Sequence, residues 1–268
     1  MIARQTRERL GPSTRVVSVG LAALVLVLLL ATYLSGSGGS GGSGGSSGSG
    51  GSGGSGAASA DRDYVVAALT SLEGRRPAAG VVASLMRSPT INRTAIVADA
   101  LRSPTVAAAR VERTYADLLG RRPTATELAI WTTRLQSGDT RLTLVAALAQ
   151  SGGYARVAGG SGQPAKLVAA WSRDLAGGAL ASATRRALTM SLGRGVSRAR
   201  VVAEILSSGP ARRAVVARAY VDVLRRRVDP GGLATYTRYL ASGHSEEQLL
   251  RVLLGSPEFA RIAMKGAG

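Results

Sequence analysis

The 268-residue chain contains no cysteine, which excludes disulfides, thiolate metal sites and cysteine nucleophiles, and leaves it indifferent to an oxidising compartment. Its one histidine, His244, removes most histidine-based metal and acid–base schemes. Aromatic residues are only 4% of the chain against 45% hydrophobic, so the apolar mass is Ala, Val and Leu. That composition suits closely packed short helices better than sheets, whose faces favour β-branched and aromatic residues. An all-α class is expected. Acidic groups are scarce as well, 16 against 34 basic, giving a net charge of +18, and lysine occurs only at Lys166 and Lys265. The first fifteen residues hold four Arg and one Glu, so the rest of the chain carries +15. Such an excess favours acidic partners without naming one. No P-loop, dinucleotide-binding glycine set, zinc spacing or calcium loop occurs. No catalytic, cofactor-binding or metal-binding group is therefore expected.

Val16 to Leu34 is a run of nineteen residues without a charge. At ~1.5 Å per residue a helix over it spans roughly 28 Å, about one hydrocarbon core. Arg4, Arg7, Arg9 and Arg15 precede the run, and no charged residue comes after it before Asp61. The positive-inside rule then makes 1–15 a cytoplasmic tail and 16–34 a single-pass transmembrane helix, with the remainder extracytoplasmic. A cleaved leader shares these features and would make the protein secreted. The length of the run, and the distance to the best small-x-small site at Ala58-Ser59-Ala60, favour a retained anchor. Residues 35–60 read as a flexible linker, with only Gly and Ser from Ser35 to Gly56, a span of roughly 25 Å root-mean-square. A designed spacer has the same composition.

Residues 61–268 read as short helices, and self-comparison exposes a repeat. One segment runs Tyr115-Ala-Asp117-Leu-Leu119-Gly120-Arg121-Arg-Pro123, then Trp131, Leu135, Gly138, Leu148, Ser151 and Tyr154. The other runs Tyr220-Val-Asp222-Val-Leu224-Arg225-Arg226-Arg227, then Asp229-Pro230, Tyr236, Leu240, Gly243, Leu253, Ser256 and Phe259. The good copies are 104–156 and 210–264. Two degenerate copies are marked by Gly74-Arg75-Arg76-Pro77 and by Trp171, Leu175, Leu192, Gly195 and Ser208. Ser103 to Ser151 and Ser208 to Ser256 are both 48 residues. Thr124-Ala-Thr-Glu127 and Ser245-Glu-Glu-Gln248 are capping boxes, while Ser103-Pro104, Asp229-Pro230 and Ser256-Pro257 place a cap before a first-turn proline. About three helices per 48-residue unit are expected, with the aromatics as core pegs.

The repeat resembles the domain-of-unknown-function family 4214, a short helical domain of bacterial secreted and surface proteins. Its signature is Tyr-x-x-Leu-Leu-Gly-Arg, then Pro, Trp, Leu, Gly and a closing Ser-x-Glu-Tyr/Phe. A more distant similarity is to phycobilisome linker domains, which organise other proteins. The first copy lacks the usual Asp after Gly-Arg and ends Ser151-Gly-Gly-Tyr154; the second has Arg225 for Gly and Tyr236 for Trp. The resemblance implies a helical fold and no established catalytic activity.

Asp117 with Arg121, and Asp222 with Arg226, are spaced to pair along one helix at ~0.3–0.5 kcal/mol each. Glu246 and Glu247 are explained by the first-turn dipole of a helix better than as a glycosidase acid pair. The aromatics at helical spacing suit a core better than a stacking platform for sugars or bases. The candidate anion-binding set is Arg212, Arg213, Arg218, Arg225, Arg226 and Arg227, with Arg194, Arg198 and Arg200 just before it, because the guanidinium fork matches phosphate and carboxylate. Expected partners are the membrane and an anionic cell-envelope polymer or a protein, with nucleic acid as the alternative and an envelope hydrolase a distant third.

Overall fold

The computed structural model describes residues 53–87 and 93–265; the tail, the apolar run 16–34 and most of the Gly/Ser tether lie outside the described residues. Among the described residues there are fourteen helices and no strand. No helix among them is long and apolar enough to cross a membrane.

The helices fall into four units. The first comprises α1 (Gly53–Glu73), α2 (Ala79–Met86) and α3 (Arg93–Arg102). The second has α4 (Pro104–Leu119), α5 (Ala125–Gln136) and α6 (Arg141–Ala149), then the short α7 (Gly152–Val157). The third has α8 (Pro164–Ala176), α9 (Ser182–Gly193) and α10 (Arg198–Leu206). The fourth has α11 (Gly209–Leu224), α12 (Pro230–Ala241) and α13 (Glu246–Leu254), then α14 (Pro257–Lys265). Every helix bound from α4 to α6 recurs from α11 to α13 at an offset of 105 residues. α1 begins at Gly53, inside the stretch that composition assigns to the tether. Once the Tyr64–Leu72 half is fixed by packing, extending a helix costs far less than nucleating one.

Local chemistry sets these boundaries. Both capping boxes form: Thr124 accepts from Glu127 N while Glu127 accepts from Thr124 N, and Ser245 with Gln248 does the same. Each closing serine caps the helix that comes after it, Ser103 for α4, Ser151 for α7 and Ser208 for α11, while Ser256 Oγ accepts from Phe259 N. A closing Ser thus starts the next unit's long first helix. Between the second and third units that helix is broken into α7 and α8 by the loop at 158–163, where Gly160 approaches Leu167 so closely that a Cβ would lie 2.8 Å from its side chain.

Two hydrophobic cores result. One joins the second and third units, around Val111, Tyr115, Trp131, Leu144, Tyr154 and Trp171. The other joins the first and fourth, around Tyr64, Leu69, Val97, Tyr220, Leu249 and Phe259. The chain therefore closes on itself: α1 packs on α14. Trp171 Nε1 donates to Ala149 O at 3.0 Å, and Tyr64 Oη donates to Leu254 O at 3.0 Å, the same carbonyl 105 residues on. Tyr64 also meets Phe259 edge to face at 5.5 Å. The signature aromatics are core pegs as expected, with Tyr115, Trp131, Tyr154, Tyr220 and Phe259 buried and Tyr236 half-buried. The middle helix of the third unit uses Leu188 instead.

Candidate functional site

α4 and α11 carry the charged centre of the molecule, and its pairings are reciprocal. Arg113 Nη1 reaches Asp222 Oδ2 at 3.3 Å, and the equivalent Arg218 reaches the equivalent Asp117. Arg141 opens α6 and Glu246 opens α13 at the matching position; Arg141 Nε lies 3.0 Å from both oxygens of Glu246. Such i-to-j and j-to-i contact is the pattern of a two-fold relation between halves. The expected pairs along one helix, Asp117 with Arg121 and Asp222 with Arg226, are not what forms. Both aspartates face the other half, where partly buried pairing offers stronger attraction than a solvated surface pair.

Arg110 completes this centre, with Nη2 at 2.8 Å from Glu247 Oε1 and only 8% and 17% side-chain exposure for the pair. Burial opposes ionisation of Glu247, but Arg110 and the Arg141 N–H hold its carboxyl below the usual range. A glycosidase general acid needs the opposite shift. Four arginines and four carboxylates therefore form a balanced set, with Arg113, Arg141 and Arg218 lining a small internal space of about 30 Å³.

The signature arginines are structural. Arg121 lies over the Tyr115 ring at 5.2 Å and makes a two-pronged bridge to Glu127, at 2.8 and 2.7 Å. That hydrogen bonding, against a small burial effect, lowers the Glu127 pKa to about 2. Arg226 lies over Tyr220, also at 5.2 Å, but grips Glu258 and Asp229 instead. Gly232 stands where the first copy has Glu127, and a Cβ there would come within 2.5 Å of the Tyr220 hydroxyl. Each copy thus keeps the stacked guanidinium and recruits a carboxylate from a different place.

The candidate anion-binding set is not one patch. Arg212 and Arg213 lie in the first turn of α11 and Arg225 caps its far end, ~20 Å away along the helix. Arg218 and Arg226 are engaged by carboxylates. Arg225 has φ 56°, the only non-glycine residue at positive φ among the described residues, and ends its helix as Gly120 ends α4 at φ 62°. Arg227 and Arg213 are exposed. A denser basic run precedes this set: from Arg185 to Arg213 there are seven arginines and one carboxylate, Glu204. None of these eight groups joins an ion pair among the described residues, whereas at least eleven of the fifteen carboxylates beyond residue 15 do.

Two clefts flank the shared side chains Leu142, Leu206 and Val215. One, of about 300 Å³, contains Asp117, Arg141, Asp174 and Arg218. The other, of about 370 Å³, is bounded by α10, the start of α11 and the end of α12, with Arg212 and His244 on its rim. His244 stacks on Tyr239 at 3.8 Å, and its Nδ1 lies 3.0 Å from Tyr239 O. A carbonyl only accepts, so Nδ1 carries the proton in that bond. No group of metal-ligating side chains forms among the described residues.

Among the described residues this architecture defines the class as an all-helical fold of four units closed by the packing of α1 on α14. No protein-family model matches the chain, and no curated protein or solved structure matches it either.

Proposed function

We propose that the chain is a non-catalytic, membrane-anchored surface module, held by residues 16–34, whose helical units dock on anionic envelope polymer. The observation that carries this reading is the uneven neutralisation of charge. Carboxylates are drawn into the central network and the cap bridges, leaving the arginines of α9, α10 and the first turn of α11 without ionic partners among the described residues. Guanidinium groups held on rigid helices suit repeated anionic groups along a polymer. The paired state of Arg218 and Arg226 moves the expected contact toward Arg194, Arg198, Arg200, Arg212 and Arg213. The ion-paired state of Glu246 and Glu247 supports a non-enzymatic reading, as does the resemblance of the repeat to a helical family without established catalysis.

The test is retention of the full chain on a non-nucleic polyanion and on DNA of equal charge density, across a salt gradient. Replacing Arg194, Arg198 and Arg200 by Gln should weaken retention and flatten its salt dependence, each lost contact taking about 0.7–0.9 off the logarithmic slope. Unchanged retention would sink the proposal. Stronger retention on DNA would transfer the surface to nucleic acid, and a salt-resistant protein captured from envelope extract would make it a protein-docking face.

A further inference from the structure

The positions lining the 370 Å³ groove have counterparts 105 residues away, and the differences between the two sides are informative. On the other side Arg110 and Glu247 meet at 2.8 Å. The equivalent positions on the groove side are Val215 and Leu142, shorter and uncharged, which leaves the space open. Arg212 replaces Ala107 and His244 replaces Asp139 at the rim. Divergence has thus emptied an apolar slot and placed one cationic side chain, Arg212, at its mouth. The one carboxylate in the lining, Glu246, is already neutralised by Arg141 at 3.0 Å from both oxygens, and Arg212 has no ionic partner among the described residues.

We infer that this groove binds a small amphiphilic monoanion, a medium-chain fatty carboxylate, with its tail on Leu142, Leu206, Val215 and Leu240 and its head on Arg212. Pockets of this size with apolar walls and one or two polar anchors are typical of small-molecule sites. Size sets the chain length. A water occupies about 30 Å³ of liquid and a methylene takes a similar share, so the groove accommodates roughly a dozen non-hydrogen atoms, about a ten-carbon acid. Charge selects the head group, since the guanidinium fork matches a carboxylate in two hydrogen bonds. The inference does not rest on the polymer-docking reading.

His244 is the only histidine in the chain, so its ring resonances report occupancy of the groove without ambiguity. The experiment titrates the full chain with octanoate, octanol and octyltrimethylammonium while following those resonances. Octanoate should shift them saturably, octanol more weakly and the cation least. Arg212→Gln should weaken octanoate about tenfold. Ala203 is exposed on the wall of the groove, so Ala203→Phe places bulk in the slot rather than the core and should abolish the shift with the fold intact. Retention on polyanion, read in parallel, should survive Ala203→Phe. Equal response to the cation, an unaltered Arg212→Gln titration, or binding that persists in Ala203→Phe would each overturn the inference, whatever the polyanion result.

Discussion

Replacing Arg225 by glycine should stabilise the protein. Arg225 ends α11 at φ 56° and ψ 26°, in the left-handed region, where a side chain costs about 1–2 kcal/mol. Glycine removes that strain and gives back about 0.5–1 kcal/mol through the freedom of the unfolded chain. The hydrogen bond lost, Arg225 Nη2 to Ser71 Oγ, is 3.5 Å long and adds little. The net gain is ~0.5–1 kcal/mol, or ~1–4 °C in Tm for a helical region of about 200 residues. The mirror-image change, Gly120→Arg, meets no neighbour within 4 Å of the added Cβ, so its cost is almost purely backbone and should lower Tm by a similar amount. Thermal melts followed by circular dichroism measure both. A fall in Tm for Arg225→Gly, or an unchanged Gly120→Arg, would refute the reasoning.

Arg110→Val should cost about 3–5 kcal/mol in urea unfolding, because it leaves Glu247 buried without its partner. Arg110→Val combined with Glu247→Leu should recover to within ~1 kcal/mol of the parent, since Val215 and Leu142 already occupy the equivalent positions; no recovery would undo the two-fold comparison. Glu127 should carry a pH signature. Its folded pKa of about 2 lies below the 4.5 of the free group, so the stabilisation is complete above about pH 4.5 and lost as pH falls toward about 2. The stability gap between the parent and Glu127→Gln should close over that window, and a gap independent of pH would contradict the Arg121 bridge.

Much of the local architecture is legible in the sequence because it is written in caps. Thr124 with Glu127, Ser245 with Gln248, and the serine before each first-turn proline mark helix starts to the residue, and the 105-residue register carries from sequence to helix bounds unchanged. Closure of the first unit on the fourth leaves no such trace. Tyr64 and Leu254 are 190 residues apart, and nothing local encodes their contact. The arginines of α11 look like a cluster in the sequence, yet successive residues point about 100° apart around a helix, so Arg212 faces the groove and Arg218 faces α4. The groove is legible only by comparing the two copies position by position, where Arg110 against Val215 and Glu247 against Leu142 mark a change of polarity.

The two halves of the proposed surface chemistry have one cause. A repeat copied at an offset of 105 residues would present the same residues twice, and at the centre it does: Arg113 and Arg218 exchange partners with Asp117 and Asp222. Those pairs absorb carboxylates that would otherwise offset the arginines outside. The third unit, which has no full counterpart of this network, carries its excess on α9 and α10, and the open groove adjoins it through Ala203 and Ser207. Arg200 lies three residues before Ala203 and seven before Ser207, on the same helical face, so the basic run borders the groove directly. Arg212 belongs to both features. Its replacement should therefore register in polyanion retention and in carboxylate binding together, whereas bulk at Ala203 should register in the second alone, and that difference separates a general attraction for negative charge from recognition of one molecule.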